Sequence, residues 1–205
     1  MCGRFYVESD DTAEDLLQLL RQAGAVTSGE VRPGDQAAAV ALSRKAGQIR
    51  AFSMRWGFPV SKQLVINARS ETACQKPLFR ESWEKRRYLI PASAWFEWDH
   101  RRKPMDKYRL QPEGTPWFFL AGLYRFGEDG QPEFTVLTRP ATESLAALHD
   151  RMPVVYGRQD AQRWLSVGTD PDEMLPEALT EIRFAPVQGK TGAADQPMQL
   201  SFFEQ

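Results

Sequence analysis

Cysteine and histidine are scarce in this 205-residue chain: two of each, Cys2 and Cys74, His100 and His149. Two distant thiols exclude a disulfide scaffold and fit a reducing compartment. With the imidazoles equally scattered, no metal-ligand spacing emerges, so neither a metal nor a cofactor is expected. No apolar run approaches the ~20 residues needed to cross a bilayer. The N-terminus lacks the basic-then-apolar pattern of a signal peptide, so a cytoplasmic protein is expected. Internal repeats and low-complexity segments are also missing. Net charge is near zero, at −1, which argues against a protein that binds nucleic acid by bulk charge alone.

What is present fits one domain, by the soft prior of about 150 residues per domain. The charge is unevenly spread. From Ser166 onward two basic residues, Arg183 and Lys190, face seven acidic ones, leaving 24 basic against 20 acidic before it. The excess is densest around Arg80, Lys85, Arg86 and Arg87 and around Arg101, Arg102 and Lys103. These are either solvated faces or a surface that follows a phosphate backbone.

Thr12 to Asp15, followed by Leu16, Leu17, Leu19 and Leu20, predicts a capped amphipathic helix. Further helices are expected over Trp83–Tyr88, Thr142–Leu148 and Gln159–Ser166. Strands are expected at 37–42, 49–54, 64–66, 89–91, 94–98, 107–110, 117–121, 134–138, 154–156 and 182–187. Asn67 to Cys74 reads as a helix start or irregular turn, and Asp170 to Pro176 as a loop. Strands outnumber helices and short turns join them. The expected fold is therefore α+β, with a mainly antiparallel, barrel-like sheet core and short peripheral helices. A domain over 1–188 and a flexible tail over 189–205 complete the expected organisation.

Cys2 directly follows the initiator methionine, in Met1-Cys2-Gly3-Arg4-Phe5. Removal of Met1, which the small cysteine side chain permits, would leave a free 1,2-aminothiol. Such a group condenses with an aldehyde to an imine and then closes a thiazolidine ring. An α-amino group titrates at about 8, far below a lysine, so a useful fraction of it is unprotonated near neutral pH. Four compact clusters follow: Arg55-Trp56-Gly57-Phe58-Pro59; Asn67-Ala68-Arg69-Ser70-Glu71-Thr72; Leu89-Ile90-Pro91-Ala92 running into Trp95-Phe96-Glu97-Trp98; and His149-Asp150-Arg151-Met152-Pro153.

In this order and with Met1-Cys2-Gly3-Arg4, these clusters resemble the SRAP family, the SOS-response-associated peptidase-like proteins that crosslink to abasic sites in DNA. The resemblance spans Cys2 to about Trp164. It implies a DNA-damage protein whose N-terminal cysteine captures the aldehyde of an abasic site in single-stranded DNA, with Cys2 as nucleophile, Asn67 orienting, Glu97 as acid/base and His149 as a second proton-transfer group. It also implies weak strand cleavage and a nucleoid-associated location. Two other functions stay open: an N-terminal-nucleophile hydrolase or peptidase using Cys2, including self-removal of Met1, and a non-enzymatic, clamp-tethered single-strand binder.

The residue types suit the chemistry on physical grounds. Trp95, Phe96 and Trp98 would desolvate Glu97 and raise its pKa, as a proton donor needs; alternatively, Glu97 points outward from a strand. An imidazole exchanges protons near pH 7, though His149 could equally pair with Asp150. Arg4, Arg69 and Arg151 lie within the motifs and suit phosphate oxygens, with Arg69 alternatively paired to Glu71 or Asp150. Trp56 and Phe58 either present a stacking platform to a splayed base or pack in the core.

Two stretches depart from the family pattern. Its Asn-(Val/Ile)-Ala-Pro-like segment is Glu30-Val31-Arg32-Pro33-Gly34-Asp35 here, with only Pro33 clearly matching, and its basic closing segment is not recognisable near Val187-Gln188-Gly189-Lys190. Gln199-Leu200-Ser201-Phe202-Phe203 looks like the short peptides that dock on the bacterial sliding clamp. That makes Gln199, Leu200, Phe202 and Phe203 candidate clamp contacts, the alternative being a last strand packed on the domain.

Overall fold

The computed structural model describes residues 2–8, 18, 20–21, 24, 28–43, 47–101, 105–166 and 168–187. The expected helix after Thr12 lies largely outside these residues, and the segment 188–205 does so entirely. The strands are β1 (Phe5–Val7), β2 (Gly29–Val31), β3 (Gln36–Ser43), β4 (Gln48–Trp56), β5 (Phe58–Val60), β6 (Gln63–Val65), β7 (Asn67–Arg69), β8 (Arg87–Ala92), β9 (Ala94–Asp99), β10 (Asp106–Pro112), β11 (Phe118–Phe126), β12 (Pro132–Pro140), β13 (Arg151–Pro153), β14 (Val155–Tyr156) and β15 (Ile182–Pro186). Short helices sit between them: α1 (Ser70–Ala73), α2 (Pro77–Lys85), α3 (Glu143–Ala146), α4 (Arg158–Leu165) and α5 (Pro171–Met174).

One sheet runs β15-β10-β9-β1-β2, and a second runs β13-β12-β4-β3-β8-β11-β14. In the second sheet β12 also pairs with β11, so β12, β4, β3, β8 and β11 close a ring. The barrel-like, mainly antiparallel core expected from the sequence is therefore present. Among the described residues, β12 pairs in parallel with β4 and with β7.

Alternation along each strand sorts the side chains. Tyr88 and Ile90, Leu120, Phe134 and Val136 join one apolar cluster with Trp56. The intervening Leu89, Ala121, Leu123 and Leu137 pack instead with Trp83 of α2 and Trp164 of α4. Gly122 is required where β11 crosses the barrel: a Cβ there would strike the Tyr88 hydroxyl and the Thr135 carbonyl. The first cluster also holds Cys2, Phe5 and Trp95, so the five-stranded sheet covers the barrel and brings the start of the chain into its core.

Two local expectations change. The helix expected at Trp83–Tyr88 runs instead over Pro77–Lys85, with Pro77 at its first turn, where a missing N–H costs nothing. Arg86 ends it at φ −134°, ψ 64°, and Tyr88 belongs to a strand because its ring fills the barrel. The stretch read as a loop at Asp170 contains a helical turn, since the Asp170 side chain accepts from the Asp172 N–H and Pro171 occupies the first position.

Candidate functional site

The start of the chain lies along β9 and the residue before it: Arg4 O accepts from Phe96 N–H (2.9 Å) and, within β1, Tyr6 O from Ser93 N–H (2.9 Å). Pairing of Phe5 with Trp95 continues the register. Cys2 is thereby fully buried, its Sγ 3.9 Å from Arg4 O. Asn67 starts β7, which β12 holds in parallel register through Val136. From there its Nδ2 donates to Cys2 O at 3.1 Å. Its Oδ1 is buried with no donor among the described residues, which leaves an acceptor beside the cysteine.

Every residue of β9 is buried, Glu97 included at 3 % exposure. The outward orientation open on sequence grounds is therefore not adopted. Burial pushes the Glu97 carboxyl above its usual range, so a proton is held there more tightly than on an exposed glutamate. Burial also pushes the Cys2 thiol up, and the nearby Glu97 charge adds to that. The two groups are thus within electrostatic reach of each other.

His149 follows α3, its N–H bonded to Leu145 O at 3.0 Å. Its Nδ1 lies 3.0 Å from the Arg151 N–H and 2.7 Å from Asp150 Oδ1. Only one of these can be a hydrogen bond in a given protonation state. Burial lowers the imidazole pKa to about 4, which favours the neutral ring, with Nδ1 accepting from Arg151 and the proton on Nε2. The Asp150 charge in turn adds to the upward push on Glu97, which ties this loop to the same site.

The arginines divide. Arg69 is exposed. Arg151 donates from both terminal nitrogens to the Glu71 carboxylate (Nη2 to Oε2 2.8 Å) and from Nη2 to Thr138 O (2.8 Å). The Glu71 partner considered for Arg69 is thus taken by Arg151. Arg4 has its side chain mostly buried, with Nη1 on Glu30 Oε1 at 2.8 Å and the guanidinium 5.4 Å from the Trp98 ring centroid.

The stacking platform is a correction. Trp56 and Phe58 are both fully buried. Trp56 donates to Ile66 O (3.0 Å) and stacks on Phe134, while Phe58 packs near Phe79 with the Arg125 guanidinium over its ring. Both rings face inward because the β4–β5 corner turns at Gly57, whose φ of +109° suits glycine alone. The basic run at Arg87 is also corrected, since Arg87 is buried and donates to the carbonyls of Trp164, Ser166 and Thr169. Arg86 pairs with Glu81 and Arg101 with Asp99. Arg102, Lys103 and the clamp-like residues Gln199, Leu200, Phe202 and Phe203 lie outside the described residues.

Three side chains that sequence reasoning did not assign complete the surroundings: Glu30, Glu71 and Lys107. Glu71 had a signal, four residues after Asn67 in the same cluster. Glu30 had only its place in the departing segment, and Lys107 had none. Among the described residues no helix is long and apolar enough to cross a membrane.

The family model for SOS response associated peptidase (SRAP) matches residues 1–193. The abasic site processing protein YoqW of Bacillus subtilis is 33% identical over 190 residues, covering 84% of each chain. YedK of Escherichia coli, also named an abasic site processing protein, is 30% identical over 182 residues, 80% of this chain and 79% of its own. A phage-related protein of Bordetella bronchiseptica has a similar solved structure, with a TM-score of 0.73 at 25% identity over 94% of this chain and 97% of its own. With this match over nearly its whole length, the chain belongs to the SRAP family.

Proposed function

We propose that the mature chain begins at Cys2 and processes abasic sites in single-stranded DNA by bonding covalently to the sugar aldehyde. The observation that carries this reading is the meeting of Cys2, Asn67 and Glu97 in one desolvated place. The two relatives named above carry the description abasic site processing protein.

The chemistry balances without a cofactor. The Cys2 amine adds to the aldehyde carbon to give a carbinolamine. Glu97, whose burial favours its protonated form, protonates the departing hydroxyl, which leaves as water; the resulting iminium returns its N–H proton to the Glu97 carboxylate, and an imine remains. The Cys2 sulfur then bonds the imine carbon while the thiol proton passes to the nitrogen, closing the thiazolidine. Asn67 orients the residue through its carbonyl without adding charge. Neutral His149 exchanges protons with the opened sugar, and exposed Arg69 meets phosphate. The imine stage also permits weak strand cleavage by β-elimination. A hydrolase acting through a standing Cys2 thiolate is disfavoured, because burial holds the thiol in its neutral form.

The test is incubation with a single-stranded oligonucleotide carrying an abasic site, followed by denaturing electrophoresis and intact mass. The wild-type chain is expected to lose Met1 and form a stable adduct one water lighter than the sum of its parts. Cys2→Ala is expected to form none. An adduct of full yield in Cys2→Ala sinks the reading.

A further inference from the structure

Residues 2–4 belong to no strand, so something other than a ladder must hold Cys2 in place. Its carbonyl takes one bond from Asn67 and the Arg4 carbonyl one from Phe96. A side-chain tie, centred on Glu30 of β2, adds to these. One oxygen of Glu30 accepts from Arg4 Nη1 at 2.8 Å and the other from Lys107 Nζ at 2.7 Å. Arg32 Nε adds a longer contact at 3.4 Å. Lys107 stands on β10 opposite Trp98, mostly buried, with Nζ 4.2 Å from the Phe96 ring centroid. One carboxylate on β2 thus engages β10 and the segment carrying Cys2, around the outer aromatics of the strand bearing Glu97.

We propose that Glu30 is a positioning residue for Cys2: bridging Arg4 and Lys107, it fixes the Cys2-Gly3-Arg4 segment against β9. This rests on Cys2 being the reacting residue. Arg4, on this view, serves the fold of the site before it serves any phosphate. Burial works against ionisation of Glu30, and the bonds from Lys107 and Arg4 outweigh it. Replacing Glu30 therefore removes the carboxylate that Arg4 and Lys107 share, which loosens the segment.

The experiment compares wild type, Glu30→Gln and the charge-balanced pair Glu30→Gln with Lys107→Met, all in a Cys74→Ala background so that Cys2 is the only thiol. Two quantities are read: the rate of adduct formation at saturating abasic DNA, alongside DNA affinity, and the rate at which Cys2 reacts with a small aromatic disulfide in the absence of DNA. Glu30→Gln is expected to slow adduct formation about tenfold with affinity held, as a small misplacement of a reacting group does, and to speed the disulfide reaction. Should Glu30→Gln fail to fold, the paired variant supplies the same two readings. A folded variant with wild-type adduct rate and wild-type thiol protection overturns the proposal. If wild type forms no adduct while thiol protection still falls in the variants, positioning by Glu30 stands and the abasic-site reading fails.

Discussion

The two walls of the site solve opposite electrostatic problems. On the β9 wall, Glu97 and Cys2 are buried, and burial pushes both groups toward their neutral forms. At the corner formed by α1 and β13, Glu71 is partly exposed and doubly bonded to Arg151. Those hydrogen bonds are the chief reason its carboxyl is held below the usual range. One carboxylate is biased toward its acid form and the other toward its anion, and the sequence around each explains why. Trp95, Phe96 and Trp98 flank Glu97, whereas Glu71 follows an exposed Arg69 at the start of a four-residue helix. Burial thus favours the protonated form of Glu97, while hydrogen bonds favour the ionised form of the more exposed Glu71.

The strongest way to break this contrast is Glu97→Gln. It preserves shape and removes the transferable proton, so adduct formation should fall by about 10²–10⁴-fold, the usual worth of a positioned acid. Thermal stability should hold or rise at neutral pH. The sign follows from the raised folded pKa. The contribution of Glu97 is fully present below the unfolded value of about 4.3 and is lost as pH rises through the higher folded value. Melting curves across pH should therefore show the wild type losing stability over that rise and Glu97→Gln losing less. An unchanged adduct rate would mean that this wall shapes the site without acting in it.

Glu71→Gln sharpens the other side and should do less. Its folded pKa is depressed, so its contribution is present above the unfolded value of about 4.3 and is lost as pH falls through the folded one. With Glu71 at 42% side-chain exposure, solvent screening limits the loss at neutral pH to about 0.5–1 kcal/mol. The acid-side decline of the melting temperature should flatten in the variant. A loss as large as that of a buried pair would place this corner with the dry wall instead.

Much of this contrast was legible in the sequence, though unevenly. The aromatic neighbours of Glu97 signalled desolvation, and the strand pattern gave the barrel-like core, because both are local properties of short windows. The fate of Trp56 and Phe58 was not legible. An aromatic pair beside Gly57 and Pro59 reads alike whether it faces solvent or the barrel interior, and only strand pairing between β4 and β12 decides. The partners of Arg4 and Arg151 were hidden for a related reason. Glu30 lies 26 residues from Arg4, and Glu71 lies 80 from Arg151. Nothing in local composition reports a carboxylate brought in from that distance. The arginine runs misled because a buried guanidinium capping carbonyls, as at Arg87, has the same spelling as one on a surface.

The smallest expected effect concerns His149, which joins the two walls. It sits in the charged corner yet shares the desolvation of the β9 wall, and burial lowers its pKa to about 4. A free imidazole would change charge near ~6.5; this one should stay neutral across that range, with Nδ1 accepting from the Arg151 amide. Because its folded value is depressed, its contribution to stability is present above about 6.5 and is lost as pH falls through the folded value near 4. Proton NMR of the two imidazoles, assigned by comparison with His100→Gln, should put the His149 midpoint well below the ordinary histidine range. The adduct rate of the wild type should correspondingly show no His149 inflection near pH 6.5. A midpoint near 6.5 for His149 would move it out of the dry wall altogether. Its proton would then be supplied by solvent rather than held by the fold, and Glu97 and Cys2 would be left as the groups of the site that burial pushes toward their neutral forms.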